Sequence, residues 1–315
     1  MAAPLLTKNR VLAAKIEATP GTAESLSASD GVFNVWGYDD VSLDAKFIDR
    51  PGQNSFSPRT GIVGAKGAKC GFSTYLIGGA SMPAWGSVFL PSCGMGISSL
   101  VVAPDSKAPE TASSKTKNIT MAIYQGPAGP IRKMYGAMGN MMAKFRSGEP
   151  VEAQFAYDGV WGVQADGAIV APTYVTPVAP RFANSGLLIG STTLRVPEMD
   201  LDLKNEVVLI EDGVTGTPGY FGAVIVNRRP TLMITAYFTK LADFDPFADY
   251  EASTERAISW SIGSTGNAIA FAAPKAQLAS APQLSSRNGS QVVKLEYQLN
   301  ASAAAGDDEL TMTFS

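Results

Sequence analysis

Hydrophobic and polar positions alternate most cleanly across residues 276–300. Val293, Leu295, Tyr297 and Leu299 fall on one face, and Lys294, Glu296 and Gln298 on the other. A period of two over this length marks a half-buried β-strand. The Asn288-Gly289 pair before it is a preferred two-residue turn, so the stretch is predicted to form a hairpin. The pattern has an earlier echo. After Arg146-Ser147-Gly148, Val151, Ala153, Phe155 and Tyr157 alternate with Glu152, Gln154 and Asp158. Tyr157 falls where Tyr297 falls, which points to one module written twice.

Other stretches extend the repeat. Met134-Tyr135-Gly136-Ala137 resembles Ala270-Phe271-Ala272-Ala273, and residues 119–125 resemble 257–263. Short helices are predicted at 83–89 and 245–250. Trp85 and Phe247 stand 162 positions apart, as do Tyr75 and Tyr237 in the strands just upstream. A constant offset across strand and helix predicts an N-terminal arm (1–30), a first module (31–165), a linker (166–184) and a second module (185–315). Pro172, Pro177 and Pro180 stiffen the linker.

In the arm, residues 9–17 read as a short strand turned by Thr19-Pro20-Gly21-Thr22. Such an arm packs on its own module or reaches a neighbour. In the first module, Val41, Leu43, Ala45 and Phe47 alternate with Ser42, Asp44 and Lys46. A turn-rich loop (49–61) and a strand (69–77) follow. Residues 98–117, rich in Ser, Lys, Thr, Ala and Pro, read as an inserted surface loop. In the second module, Met199, Leu201 and Leu203 interleave with Asp200, Asp202 and Lys204. A loop (213–222), a strand (231–238) and a final strand carrying Leu310, Met312 and Phe314 complete it. The expected fold is mainly β: two tandem β-sandwich or barrel modules, each with a short flanking helix.

Composition narrows the chemistry. The 315 residues, 45% hydrophobic and 17% charged, can fill two cores, and 31 Gly with 20 Pro suit a turn-rich β protein. A net charge of −3 gives no basic footprint for gripping nucleic acid. No apolar run has the length of a membrane span, and Lys8 and Arg10 are not followed by the apolar core of a secretory signal. The absence of histidine removes Ser-His-Asp and Cys-His catalysis and His-ligated metal sites. Cys70 and Cys93 are expected as free, buried thiols. Asp243, Asp245, Asp249 and Glu251 lack the spacing and turn glycine of an EF-hand. Asp245-Pro246 reads instead as a helix cap with Pro at the first helical position. Asp200 and Asp202 share a strand face, as a glycosidase pair would, but an alternating amphipathic strand makes them a solvated face. No catalytic residue, cofactor or metal is expected.

The chain resembles the tail tube, or major tail, proteins of long-tailed non-contractile bacteriophages over nearly its whole length. The resemblance rests on Val11-Leu12-Ala13-Ala14-Lys15-Ile16-Glu17-Ala18-Thr19-Pro20-Gly21-Thr22, Asp49-Arg50-Pro51-Gly52 and Met82-Pro83-Ala84-Trp85-Gly86. It continues in Gly266-Asn267-Ala268-Ile269-Ala270-Phe271-Ala272-Ala273-Pro274 and Gly306-Asp307-Asp308-Glu309-Leu310-Thr311-Met312. It implies a structural virion protein with a β-sandwich and flanking helix, whose strands join those of neighbours in a closed barrel. Rings stack into a tube that conducts DNA, assembled in the bacterial host cytoplasm with tape measure, tail terminator and tail-tip proteins. On this basis Ser42, Asp44, Lys46, Asp200, Asp202 and Lys204 are expected to line the lumen. Asp49, Arg50 and Arg59 in one loop, Asp212 and Tyr220 in the other, and the arm are expected to contact the adjacent ring. The alternative is a tail-tip β-sandwich that binds host glycan or protein, for which no exposed aromatic cluster is evident.

Two modules per chain predict trimeric, pseudo-sixfold rings in which unlike modules alternate. Residues 1–165 hold 15 Lys+Arg and 12 Asp+Glu, whereas 166–315 hold 10 and 16. Opposite net signs favour unlike neighbours.

Overall fold

The computed structural model describes residues 5–31, 33–50, 52, 57, 59–106, 117–174, 178–214 and 216–315. The first half contains β1 (Arg10–Ile16), β2 (Val35–Trp36), β3 (Ser42–Arg50), β4 (Arg59–Tyr75), α1 (Ala84–Ser92), β5 (Met95–Ser98), β6 (Val101–Pro104), β7 (Ile119–Gln125), β8 (Pro130–Arg146), β9 (Glu152–Trp161) and β10 (Ala165–Asp166). The second half contains β11 (Leu188–Ile189), β12 (Thr192–Thr193), β13 (Glu198–Asp202), β14 (Asn205–Glu211), β15 (Tyr220–Arg228), β16 (Thr231–Tyr237), α2 (Pro246–Glu251), β17 (Glu255–Ser264), β18 (Asn267–Leu278), β19 (Gln283–Arg287), β20 (Ser290–Asn300) and β21 (Thr311–Phe314). The chain is mainly β, as its alternation predicts.

The halves share their strand registers. Cys70 lies opposite Tyr157 where β4 meets β9, and Leu232 lies opposite Tyr297 where β16 meets β20. The offsets are 162 for the first strand and 140 for the second. Trp36 opposite Ser73 and Glu198 opposite Thr235 both keep the offset of 162. Met121 opposite Met134 and Ser259 opposite Ala272 both keep 138. The sequence match of Met134 to Ala270 is therefore two residues out. A slip of two preserves the face, so the alternation alone could not expose it.

One antiparallel sheet runs through both halves as β4–β9–β8–β13–β16–β20. A second set of strands stands on each half, β1–β7–β8 in the first and β11–β17–β18 in the second. β8 serves both sets, pairing with β7 near its start and with β9 and β13 further on. A register shift lies between Tyr135 and Met138, beside Gly136 at φ 56°. β21 pairs with both β18 and β6, stitching the C-terminus across the halves.

Two expectations change, and one open alternative is decided. Residues 10–16 pack on their own module: β1 pairs along its whole length with β7, and Leu12, Ala13 and Ala14 are buried. Cutting residues 1–20 would therefore remove a core strand, not merely a ring contact. Residues 98–117 are not wholly loop, because β6 pairs with β5 and β21; residues 107–116 lie outside the described residues. The loop predicted at 49–61 is shorter, because β3 runs to Arg50 and β4 starts at Arg59. Much of what remains of that loop, like Pro177, lies outside the described residues.

The helices sit where Pro and Asp place them. Asp245 caps α2 by accepting from the Phe247 and Ala248 amides, both at 3.1 Å. In the first half, Phe89 of α1 packs on Phe33, Phe72 and Phe155 with ring centroids 4.6, 4.8 and 5.3 Å away. Tyr157 and Tyr297 occupy equivalent buried places, and burial raises the pKa of both phenols. Their hydroxyls differ. Tyr157 shares a 2.8 Å hydrogen bond with Ser92 and donates to the Phe89 carbonyl, whereas the Tyr297 hydroxyl has no partner among the described residues. Tyr157→Phe is expected to cost about 1–2 kcal/mol, and Tyr297→Phe about nothing or a gain of ~1 kcal/mol. Urea unfolding checks this, and equal losses at both sites would contradict it.

Candidate functional site: the assembly surfaces

The continuous sheet turns one face to the aromatic core and leaves a polar face outside it. Cross-strand neighbours on that face run Glu152–Lys144–Asp200–Met233–Glu296 across five strands. A parallel row runs Arg146–Glu198–Thr235–Lys294. Arg146 holds Asp200 in a two-armed ion pair at 2.7 and 3.1 Å, and the pair raises the Arg146 pKa. Arg287 donates to Glu198 at 2.8 Å and holds its pKa below the usual value. Asn140 donates to Asp202 at 2.7 Å. The face is thus mixed in sign, and its carboxylates are already engaged by the protein's own donors.

The candidate lumen residues divide. Asp200 and Asp202 stand on β13 within this sheet, and Lys204 sits in the turn that leaves it, at φ 48°. Ser42, Asp44 and Lys46 stand on β3, exposed, with Asp44 paired to Lys69 at 2.9 Å. The two sets are not equivalent. The offset of 162 maps Ser42 onto Lys204 and Asp44 onto Glu206, so the counterpart of β13 is the segment 36–40. Lys144, Arg146, Glu152, Glu198, Lys294 and Glu296 were missed as members of one face. For Glu152, Lys294 and Glu296 the signal was present in the polar alternation of β9 and β20.

Two ribbons project from the sheet. In the first, β3 pairs with the outer half of β4, and both of its faces are exposed. Asp49, Arg50 and Arg59 stand towards its tip. In the second, β14 pairs with β15 and folds back on the first half. Asp212 and Tyr220 stand at its tip, where Lys66 of β4 donates to the Pro218 carbonyl at 2.9 Å. Further down, Asn118 donates to the Ala223 carbonyl at 2.8 Å. A Cβ on Gly136 would come within 2.9 Å of the Gly222 Cα, so the first half's bulge and this ribbon meet backbone to backbone.

Glu17 fixes that meeting point. Its buried carboxylate accepts from the Gly136 amide at 2.6 Å, the Gly21 amide at 2.8 Å and the Thr120 hydroxyl at 2.9 Å. Burial nevertheless outweighs these donors and raises its pKa. The folded chain therefore holds this proton to higher pH than the unfolded chain does. The resulting stability is complete below the ordinary carboxylate pKa and is lost as pH rises through the raised value. Glu17→Gln is expected to flatten that decline in urea-unfolding stabilities measured from about pH 4 to 7. An unchanged slope would remove Glu17 as its source.

Cys70 and Cys93 are free and buried, and burial pushes each thiol up to about 12, which leaves both unreactive. Among the described residues no group of acidic or thiol side chains is placed to hold a metal, and no helix is long and apolar enough to cross a membrane. A family model described as phage tail tube protein matches residues 7–303. The chain belongs to the phage tail tube protein family. This tail tube protein is accordingly a structural component of the virion tail, not an enzyme, and it assembles with copies of itself and with other tail proteins. No curated protein matches it.

Proposed function

We propose that the tail tube protein forms stacked rings of three chains whose joined sheets enclose a channel for DNA, in a long-tailed non-contractile phage. The observation that carries this reading is the β8–β13 pairing, which sets unlike halves side by side in one sheet. Three chains repeating that step supply six modules to a ring. The polar face lines the channel through Asp200 and Asp202, with Lys204, Ser42, Asp44 and Lys46 towards its rim. Cargo slides on such a wall. Tight binding to phosphates needs many uncompensated Lys and Arg, and here Arg146 is already paired with Asp200.

Contacts between rings come from the ribbon tips, Asp49, Arg50 and Arg59 on one side and Asp212 and Tyr220 on the other. The tube is built in the host cytoplasm around a tape measure protein, between a tail-tip complex and a tail terminator. Electron microscopy of the purified protein tests this reading. Tubes with three chains per ring are expected. Six chains per ring, each giving one half to the wall, would overturn the stoichiometry, and monomers that bind glycan would overturn the function.

A further inference from the structure

The tail tube protein carries one internal junction and, at its two free ends, the two halves of a second. At the internal junction the second half grips the first in two ways. β13 pairs with β8, Glu198 opposite Arg146. The β14–β15 ribbon lies on the first half, with Leu209 reaching towards Gly67.

The repeat carries both grips to the free ends. β19 holds the place in the second half that the end of β8 holds in the first: Leu284 faces Val293 as Ala143 faces Ala153. Among the described residues β19 pairs with β20 alone, and Leu284 is exposed. At the other end, Trp36 lies on β4 as Glu198 lies on β16, and no strand borders its outer edge among the described residues. After Trp36, Gly37 (φ 63°) interrupts the strand, yet the chain stays alongside β4 through the Asp39 amide on the Gly71 carbonyl at 2.8 Å.

The ribbons show the same asymmetry. Phe47, Ile62 and Val63 stand 162 positions before Leu209, Val224 and Ile225. The first three are 60%, 54% and 49% exposed, whereas the second three are partly covered. The two ribbons are alike but not superimposable, since Phe47 faces Val63 whereas Leu209 faces Ala223, and Val208, Ile210 and Val226 of the second ribbon are exposed too. The difference is that one apolar side of the second ribbon is covered by the first half.

We infer that a second copy of this chain supplies that neighbour. Segment 35–40 of one chain pairs antiparallel with β19 of the next, and the β3–β4 ribbon of the first lies over β18 and β20 of the next. The inference rests on the tube reading above and adds which surfaces make the lateral junction. Carried over by the same repeat, the backbone edge and the apolar ribbon point to the same neighbour. The edge is also built to wait. Ser286 stands where β8 buries Phe145, so β19 stays polar until it is paired. Repetition of this head-to-tail contact closes a ring when the rotation permits.

Photocrosslinking of the full chain tests it. Leu284→p-benzoylphenylalanine and, separately, Phe47→p-benzoylphenylalanine both alter exposed positions and spare the core. Assembled tubes are irradiated, and multimeric products are mapped by mass spectrometry. Adducts from position 284 are expected within residues 34–41 of a second chain, and adducts from position 47 within residues 267–300 of a second chain. Tubes whose adducts map elsewhere would overturn this junction and leave the tube reading intact. Protein that forms no ring or tube by microscopy, with or without the probe, would overturn the tube reading and the junction with it.

Discussion

Replacing residues 46–65 by an Asn-Gly turn is expected to abolish tube growth while leaving the subunit folded. Ala45 and Lys66 lie directly opposite each other, so a two-residue turn can close the shortened ribbon. The excised segment includes Phe47, Ile48, Ile62 and Val63, all exposed in the single chain. Their removal takes little from the monomer's core. In the lateral junction proposed above they are covered, and full burial of such a side chain contributes about 1.5–3 kcal/mol. Losing even ~3 kcal/mol of contact energy raises the concentration needed for assembly by a factor on the order of 100. Sedimentation and electron microscopy read the loss of tubes, and thermal unfolding reads the retained fold. Normal tubes from the shortened chain would show that the ribbon is ornament. A collapsed melting temperature would show that it belongs to the core.

How much of this was legible follows from what alternation can and cannot encode. β9, β13, β16 and β20 each keep one face on the core, so their period of two appears directly in the sequence. The α2 cap was equally legible, because Asp245 and Pro246 act within one helical turn. β3 shows the same alternation for a different reason: it leaves the sheet as part of a two-stranded ribbon, where both faces meet solvent. Local pattern cannot separate a half-buried strand from such a ribbon. β1 could be seen as a strand but not as part of the sandwich, because its partner β7 lies about a hundred residues away. The segment 36–40, counterpart of β13, was hidden because Gly37 breaks the alternation. The polar face was hidden by distribution, each strand giving only two or three of its residues. The repeat lets the internal junction suggest the proposed external one, and the shared registers supply the residue correspondence on which that proposal rests.

Phe145→Ala is expected to cost about 3–5 kcal/mol, the range for truncating a fully buried aromatic ring. Its position explains why the cost should fall at the upper end. Phe145 belongs to β8 in the first half, but its ring stands edge-on to Trp260 and Phe271 of the second half, at 5.9 and 5.5 Å. Those two rings stack on each other at 4.9 Å, and Phe182 closes the cluster at 5.5 Å from Phe145. Edge-to-face contacts of this kind contribute about 0.5–1.5 kcal/mol beyond the area buried. The truncation therefore opens a cavity at the point where β8 meets β13 and the sheet passes from one half to the other. Uncoupling is expected as well as loss: the urea transition should broaden or split as the halves cease to unfold together. The repeat provides an internal control. Ser286 is the counterpart of Phe145 on β19 and is exposed in the free chain, so Ser286→Ala should change monomer stability by less than about 0.5 kcal/mol. A single sharp transition for Phe145→Ala within about 1 kcal/mol of the parent, below the usual cost of such a truncation, would mean that backbone pairing alone joins the halves.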